Sequence, residues 1–158
     1  MSSAANTSKS GFANPDQVLI HRFLEQGGHP LPIDSNPMAI ALGATLLAVD
    51  PQEGQVEIGF DPQPLFIQGT GVLQGGAISA MLDFAMAFAT MARLPASGSC
   101  ATTNISTSFL RPAPQGHYVA TGVVDRCGKA MAFTQARLVE AGTGRLVATA
   151  ASTLVVMT

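Results

Sequence analysis

The spacing of apolar residues changes period along the chain, and each change marks a new element. "NPDQVLIHRFLEQGG" predicts a short helix, with Asn14 as N-cap, Pro15 at the first helical position and Gly27-Gly28 as the stop. "HPLPIDSNP" predicts a loop, and "NPMAIALG" repeats the cap-proline start for a brief helix ending at Gly43. "ATLLAVDPQEGQVEIGFDP" predicts a hairpin: a strand, a turn around Asp50 to Gly54, then polar–apolar alternation from Gln55 to Phe60. The Pro- and Gly-rich "PQPLFIQGTGVLQ" leads into a long helix from about Gly75 to Ala92, apolar on nearly every face, as a buried helix is. Four strand patterns follow: "CATTNISTSFLRP", "GHYVATGVVDRCG", "AMAFTQARLVEAG" and "GRLVATAASTLVVMT". Their regular spacing and Gly-containing turns predict a meander.

One apolar helix among mostly antiparallel strands implies an α+β domain with a curved sheet wrapped about that helix. The small, polar residues 1–12 are expected to be a disordered tail, and residues 13–158 a single domain. Hydrophobic residues make up 47% of the 158 and charged residues only 11%, against roughly 25% charged in ordinary soluble domains. A surface so poor in charge implies a homo-oligomer, in which a partner subunit covers the apolar excess. The net charge of -2, with no basic run, excludes a nucleic-acid surface. Cys100 and Cys127 are too few for a disulfide framework and lack metal-ligand spacing, and "MSSAANTSKSGFANPDQ" has no apolar signal region. These features predict a cytoplasmic protein with two reduced thiols. Residues 73–92 are about long enough to cross a membrane, but a carboxylate in the middle and a Gly-Gly start argue against a span.

That carboxylate, Asp83, is the only charge between Pro62 and Ala92. An unpartnered buried carboxylate costs several kcal/mol. A lone acid in an apolar helix is therefore either satisfied by a hydroxyl or backbone group, or tuned for work as a general base or nucleophile. Gly75 and Gly76 open the same helix, where backbone N–H groups lack intrahelical partners and the helix dipole is positive. Glycine lets a substrate oxygen approach such N–H groups, which is the make-up of an oxyanion hole. Eight residues separate Gly75 from Asp83, roughly 12 Å along a helix axis. One helix cannot bring both to a single carbonyl, but two antiparallel copies can. If both act on one substrate, the site is shared between subunits.

"GVLQGGAISAMLDFAMAFAT", "TTNISTSFLRPAPQG" and "VVDRCGKAMAFTQARLVEAGTGRLVATAASTLVV" together resemble the hotdog-fold acyl-CoA thioesterases, most closely the phenylacetate-pathway and 4-hydroxybenzoyl-CoA thioesterase branch. The likeness covers roughly residues 40–156. It implies a hotdog fold and hydrolysis of an acyl-CoA, with coenzyme A as part of the substrate and no separate cofactor. Asp83 would then activate water or attack the thioester, and the Gly75 N–H would polarise its carbonyl. Gln68 would orient the carbonyl or the water, and Thr102 would hydrogen-bond near the acid. Gln74 and Gly76 would border the substrate. Arg111, Arg126, Gly128 and Lys129 fall in segments where such proteins meet coenzyme A phosphates. The family usually has His-Gly-Gly where this chain has Gln74-Gly75-Gly76. Glutamine can donate a hydrogen bond but cannot titrate, so a proton-transfer role at position 74 is lost.

Other motifs fall away. Asp34-Ser35-Asn36-Pro37 resembles the start of a hotdog enoyl-CoA hydratase motif, but Ala39 stands where hydration needs a histidine. Gly69 to Gly75 has no βαβ unit around it for a dinucleotide, and Ser79 lacks nucleophile-elbow spacing. His21, His29 and His117 lie far apart, so no metal site is expected. Met81, Phe84, Met86, Phe88 and Met91 are core candidates that could also line an acyl pocket. Two functions follow: an acyl-CoA thioesterase acting on an aryl or medium-chain acyl group, or a non-catalytic module that binds acyl-CoA as a sensor.

Overall fold

The protein is described by a computed structural model covering residues 14–158; the expected tail, residues 1–12, lies outside the described residues. Helix α1 spans Pro15–Glu25 and is capped by the Asn14 side chain, which accepts from the Gln17 N–H. A two-residue strand, β1 (Leu31–Pro32), lies inside the expected loop, too short for any periodicity to signal it. Helix α2 (Pro37–Ala41) is capped in the same way by Asn36. It ends at Gly43, whose φ of 59° is left-handed and where a Cβ would meet the Asp61 carbonyl at 2.3 Å. Strands β2 (Thr45–Asp50) and β3 (Gln55–Phe60) form the predicted hairpin, its turn held by Asp50 accepting from the Gln52 and Glu53 N–H groups.

The long helix α3 runs over Gly75–Ala92 as read from the sequence. Four strands follow: β4 (Ser99–Phe109), β5 (Tyr118–Cys127), β6 (Met131–Glu140) and β7 (Leu146–Met157). All pairings are antiparallel, in the order β1-β2-β3-β5-β6-β7-β4. The expected four-strand meander is therefore corrected: only β5, β6 and β7 form one, while β4 lies at the far edge against β7. The linker explains the difference. Residues 110–117 carry Pro112 and Pro114, which cannot close a tight hairpin ladder. Eight residues also reach easily across the three strand spacings, about 14 Å, that separate β4 from β5. On the way the linker pins the entry to α3, with the Leu73 N–H donating to the Ala113 carbonyl at 2.7 Å.

The sheet curls around α3, burying Met81, Leu82, Ala85, Met86 and Ala89 against Leu46, Ile58, Ala120 and Leu138. Among the described residues α3 is the one helix long and apolar enough to cross a membrane, and it is this core helix, more than half buried. Its far end is held by Gln17 of α1, fully buried, whose Nε2 donates to the carbonyls of Met91 at 3.0 Å and Gly98 at 3.1 Å. The sheet comes very close to the helix at Gly122 of β5, where a Cβ would stand 2.3 Å from the Ala85 carbonyl oxygen. That neighbour is helix backbone and cannot swing away. Gly122→Ala is therefore expected to destabilise the protein by about 1–3 kcal/mol or more, read as a lower midpoint in chemical denaturation. A midpoint equal to wild type would mean that sheet and helix are not in this contact.

Candidate active site

The sheet leaves one stripe of α3 uncovered. Gly76 is exposed, and Ser79, Ala80, Asp83 and Ala87 are half-buried, three and four residues apart along one face. Asp83 is thus not fully enclosed by its own chain, contrary to the expectation of a buried acid. The sheet covers the opposite side of the helix, and composition alone could not say which side Asp83 takes.

Edge strand β4 runs antiparallel beside this stripe and meets it step by step. The Cys100 Sγ–H donates to the Ala87 carbonyl at 3.7 Å, the Thr102 hydroxyl to Asp83 Oδ1 at 2.7 Å, and the Ser79 hydroxyl to Thr107 Oγ1 at 3.1 Å. At the end of the series Phe109 lies on Gly75: a Cβ there would stand 3.1 Å from the ring Cζ. The first and last steps match in length, since four helical residues rise about 6 Å and two strand residues about 6.7 Å, while the middle step, Thr102 to Thr107, takes five strand residues. It needs one irregularity. Thr102 and Phe109 are seven apart, which on a regular strand puts them on opposite faces. A bulge between Thr102 and Asn104 restores the face: Thr102 pairs with Leu154, Asn104 with Thr153, and Thr103 is the extra residue. The Thr103 hydroxyl donates to the Thr153 carbonyl at 3.0 Å and closes the bulge.

The residues singled out from the sequence fall into two groups at opposite ends of this ladder. At one end, Gln68, Gly75 and Arg111 line a cleft of about 500 Å³ together with Leu73, Ile78 and Phe109. Gly75 is the first residue of α3, and among the described residues no acceptor meets its N–H or that of Gly76. Gln74 is the exposed N-cap; its carbonyl accepts from the Ala77 and Ile78 N–H groups, and its side chain makes no capping bond. The Gln68 Oε1 accepts from the Thr70 N–H at 3.4 Å. One Arg111 nitrogen donates to the Leu146 carbonyl at 2.8 Å. A larger depression of about 710 Å³, lined by Ser106, Thr121, Arg137 and Thr149 on the outer face of the sheet, contains none of these residues.

At the other end stand Asp83 and Thr102. Across the sheet Thr102 pairs with Leu154, Leu154 with Ala132, and Ala132 with Cys127. The turn with exposed Arg126, Gly128 and Lys129 therefore lies at the Asp83 end. Cys100 is beside Asp83 too. Burial, reinforced by the Asp83 carboxylate, pushes its thiol up to about 12. At neutral pH it stays a thiol, so no cysteine nucleophile operates next to the acid. Within one chain Asp83 and Gly75 remain the eight residues of an unbroken helix apart. Sequence reading gave no role to Phe109, whose place beside Gly75 depends on a bulge that the mostly polar run "TTNIST" does not signal.

Comparison with known proteins agrees with this architecture. Residues 70–147 match the family model of the thioesterase superfamily. A phenylacetic acid degradation-related protein from Ralstonia eutropha JMP134 is 33% identical, with a TM-score of 0.73 over 85% of this chain and 97% of that one. A thioesterase family protein from Silicibacter pomeroyi (23% identical, TM-score 0.74, covering 90% of this chain and 96% of that one) shares the fold. So does the PaaI protein from the phenylacetic acid degradation operon of E. coli (19% identical, TM-score 0.70, 92% and 96% covered). No curated protein matches the sequence. An antiparallel seven-stranded sheet curled around α3, and a relative one-third identical and matched almost end to end, have one reading: the chain belongs to the thioesterase superfamily and has its hotdog fold.

Proposed function

We propose that the protein is an acyl-CoA thioesterase whose reaction centre is shared between two subunits. The observation that carries this reading is the separation of Asp83–Thr102 from the Gly75 N–H along one unbroken helix, with neither Asp83 nor Gly75 fully buried by its own chain. A two-fold axis near Ser79, midway between them, would bring Asp83 of one protomer to Gly75 of the other. Two further features support the pairing. Strand β4 is an eleven-residue edge without a charge, which is an open template for another strand. The uncovered stripe of α3 carries the small residues Gly76, Ser79, Ala80 and Ala87 around Asp83, with half-buried Phe84 beside it, and small residues let a second helix approach closely. A second copy would also complete the burial that the sequence predicts for Asp83.

In the reaction, the thioester carbonyl oxygen accepts from the Gly75 N–H, and Gln68 helps to orient it. Asp83, held by Thr102, takes a proton from water as the water oxygen attacks the carbonyl carbon. The carbonyl electron pair moves onto the oxygen at the Gly75 N–H. Collapse breaks the carbon–sulfur bond, and the coenzyme A thiolate leaves with the proton that Asp83 held. Direct attack by Asp83 to give an anhydride is the variant mechanism. A single turnover in ¹⁸O-labelled water separates them, since only the anhydride route leaves label on Asp83. The apolar lining of the cleft supports an aryl or medium-chain acyl group, and we assign the phosphates of coenzyme A to Arg111, Arg126 and Lys129.

The test is thiol release from a panel of acyl-CoAs. Turnover supports the enzyme. Tight binding by calorimetry with no thiol released from any member would instead make the protein a ligand-binding sensor and overturn the proposal.

A further inference from the structure

We infer that Phe109 is a specificity-determining residue, which limits the bulk of the acyl group next to the thioester carbonyl; the inference rests on the reading of Gly75 as the oxyanion donor. Phe109 is 54% exposed, an unusual cost for a phenylalanine at the end of a strand. The ring is nevertheless directed: its Cζ, Cε1 and Cε2 atoms would all lie within 3.6 Å of a Cβ placed on Gly75. Its tip therefore closes off the space beside the Gly75 α-carbon, and its open side lines the cleft with Ile78 and Leu110.

The bulge at Thr103 fixes this placement. Because that extra residue turns Thr102 and Phe109 to the same side, the strand that holds Asp83 at one end seats the ring against Gly75 at the other. An acyl group whose carbonyl reaches the Gly75 N–H must pass the ring with whatever its α-carbon carries. Linear chains and substituents joined through a CH₂ can pass; branching at the α-carbon meets the ring. Discrimination of this kind is steric, and a pocket that excludes a few methyl-sized groups is worth about one to two powers of ten in kcat/KM.

The experiment compares hexanoyl-CoA with α-branched 2-ethylhexanoyl-CoA, taking the ratio of their kcat/KM values in wild type, Phe109→Ala and Phe109→Trp. Phe109→Ala is expected to raise the branched-to-linear ratio by about tenfold or more, and Phe109→Trp to lower it. Opposite shifts in two variants at one position cannot come from a loss of stability, which would depress both substrates together. Ratios that stay within twofold of wild type in both variants, or that move the same way in both, overturn the inference. If wild type releases thiol from neither substrate nor from any other member of the acyl-CoA panel, the thioesterase reading itself fails. The same ratio, measured as dissociation constants by calorimetry, then decides the role of Phe109 by the same criteria.

Discussion

Asp83→Asn is expected to fold like wild type and to release thiol from acyl-CoA about 10²- to 10⁴-fold more slowly. Asparagine keeps the shape of the side chain and an oxygen that can accept from Thr102, so the ladder between α3 and β4 survives. What it loses is basicity: the amide cannot take a proton from water, nor attack as a carboxylate does. The loss should fall on kcat with little change in KM, because in the proposed mechanism Asp83 acts in the transition state and does not hold the coenzyme. Stability should hold or rise slightly, since a charge is removed from a helix face that is otherwise uncharged. Steady-state kinetics and a denaturation curve on the same preparation check both halves. A variant that turns over within threefold of wild type would remove Asp83 from the chemistry.

The second large effect is expected for Gly75→Pro. Gly75 is the first helical residue of α3, the position where proline is tolerated because its N–H has no intrahelical partner. Proline also requires an extended residue before it, and Gln74 already has φ -59° and ψ 140°. The ring of Phe109 must give by a few tenths of an ångström, which an exposed side chain can do. The substitution thus deletes one hydrogen-bond donor and little else. Loss of a single oxyanion donor costs about 10²–10³ in kcat, and that is the drop expected here. Gly75→Ala makes the same demand on Phe109 but keeps the N–H, so it should retain far more activity. Equal losses in the two variants would assign the effect to packing and not to the N–H.

Much of this arrangement can be read from the residues themselves. The Asn-Pro starts and glycine stops of α1 and α2, and the limits of α3, are punctuated by chemistry local to each end. The strands β2, β3, β5, β6 and β7 announce themselves by alternation, because one face of each meets the helix. The place of β4 is not legible in this way. Alternation tells which side chains face inward, not which strand lies alongside, and β4 pairs not with the next strand but with β7, the last of the three that follow it. The contact of Gly122 with helix backbone and the clamp of Gln17 on the end of α3 are likewise non-local, and a single glycine or glutamine carries no sign of them.

The candidate site divides along the same line. The spacing of Gly75 and Asp83 on one helix is arithmetic, and it predicts that one chain cannot unite them; α3 is continuous between them. The partnership of Thr102 with Asp83 is not arithmetic. It follows from family resemblance, because the two residues sit on different elements and no spacing rule connects them. Phe109 belongs to the run "TTNISTSFLRPAPQG" but gains a role only from the structure, because seven residues from Thr102 implies the opposite face until the bulge is known.

The shared reaction centre is tested most directly by mixing the two inactive variants. Asp83→Asn and Gly75→Pro subunits, differently tagged, would be unfolded together in equal amounts and refolded, and the unfractionated mixture assayed, with co-purification of a separate sample proving that mixed dimers have formed. In a mixed dimer one centre carries both defects, while the other joins the Asp83 of one subunit to the Gly75 of its partner with neither altered. Random pairing in a two-fold dimer then predicts recovery to about a quarter of wild-type thiol release, far above either variant alone. Confirmed mixed dimers with no more activity than their parents would contradict the account.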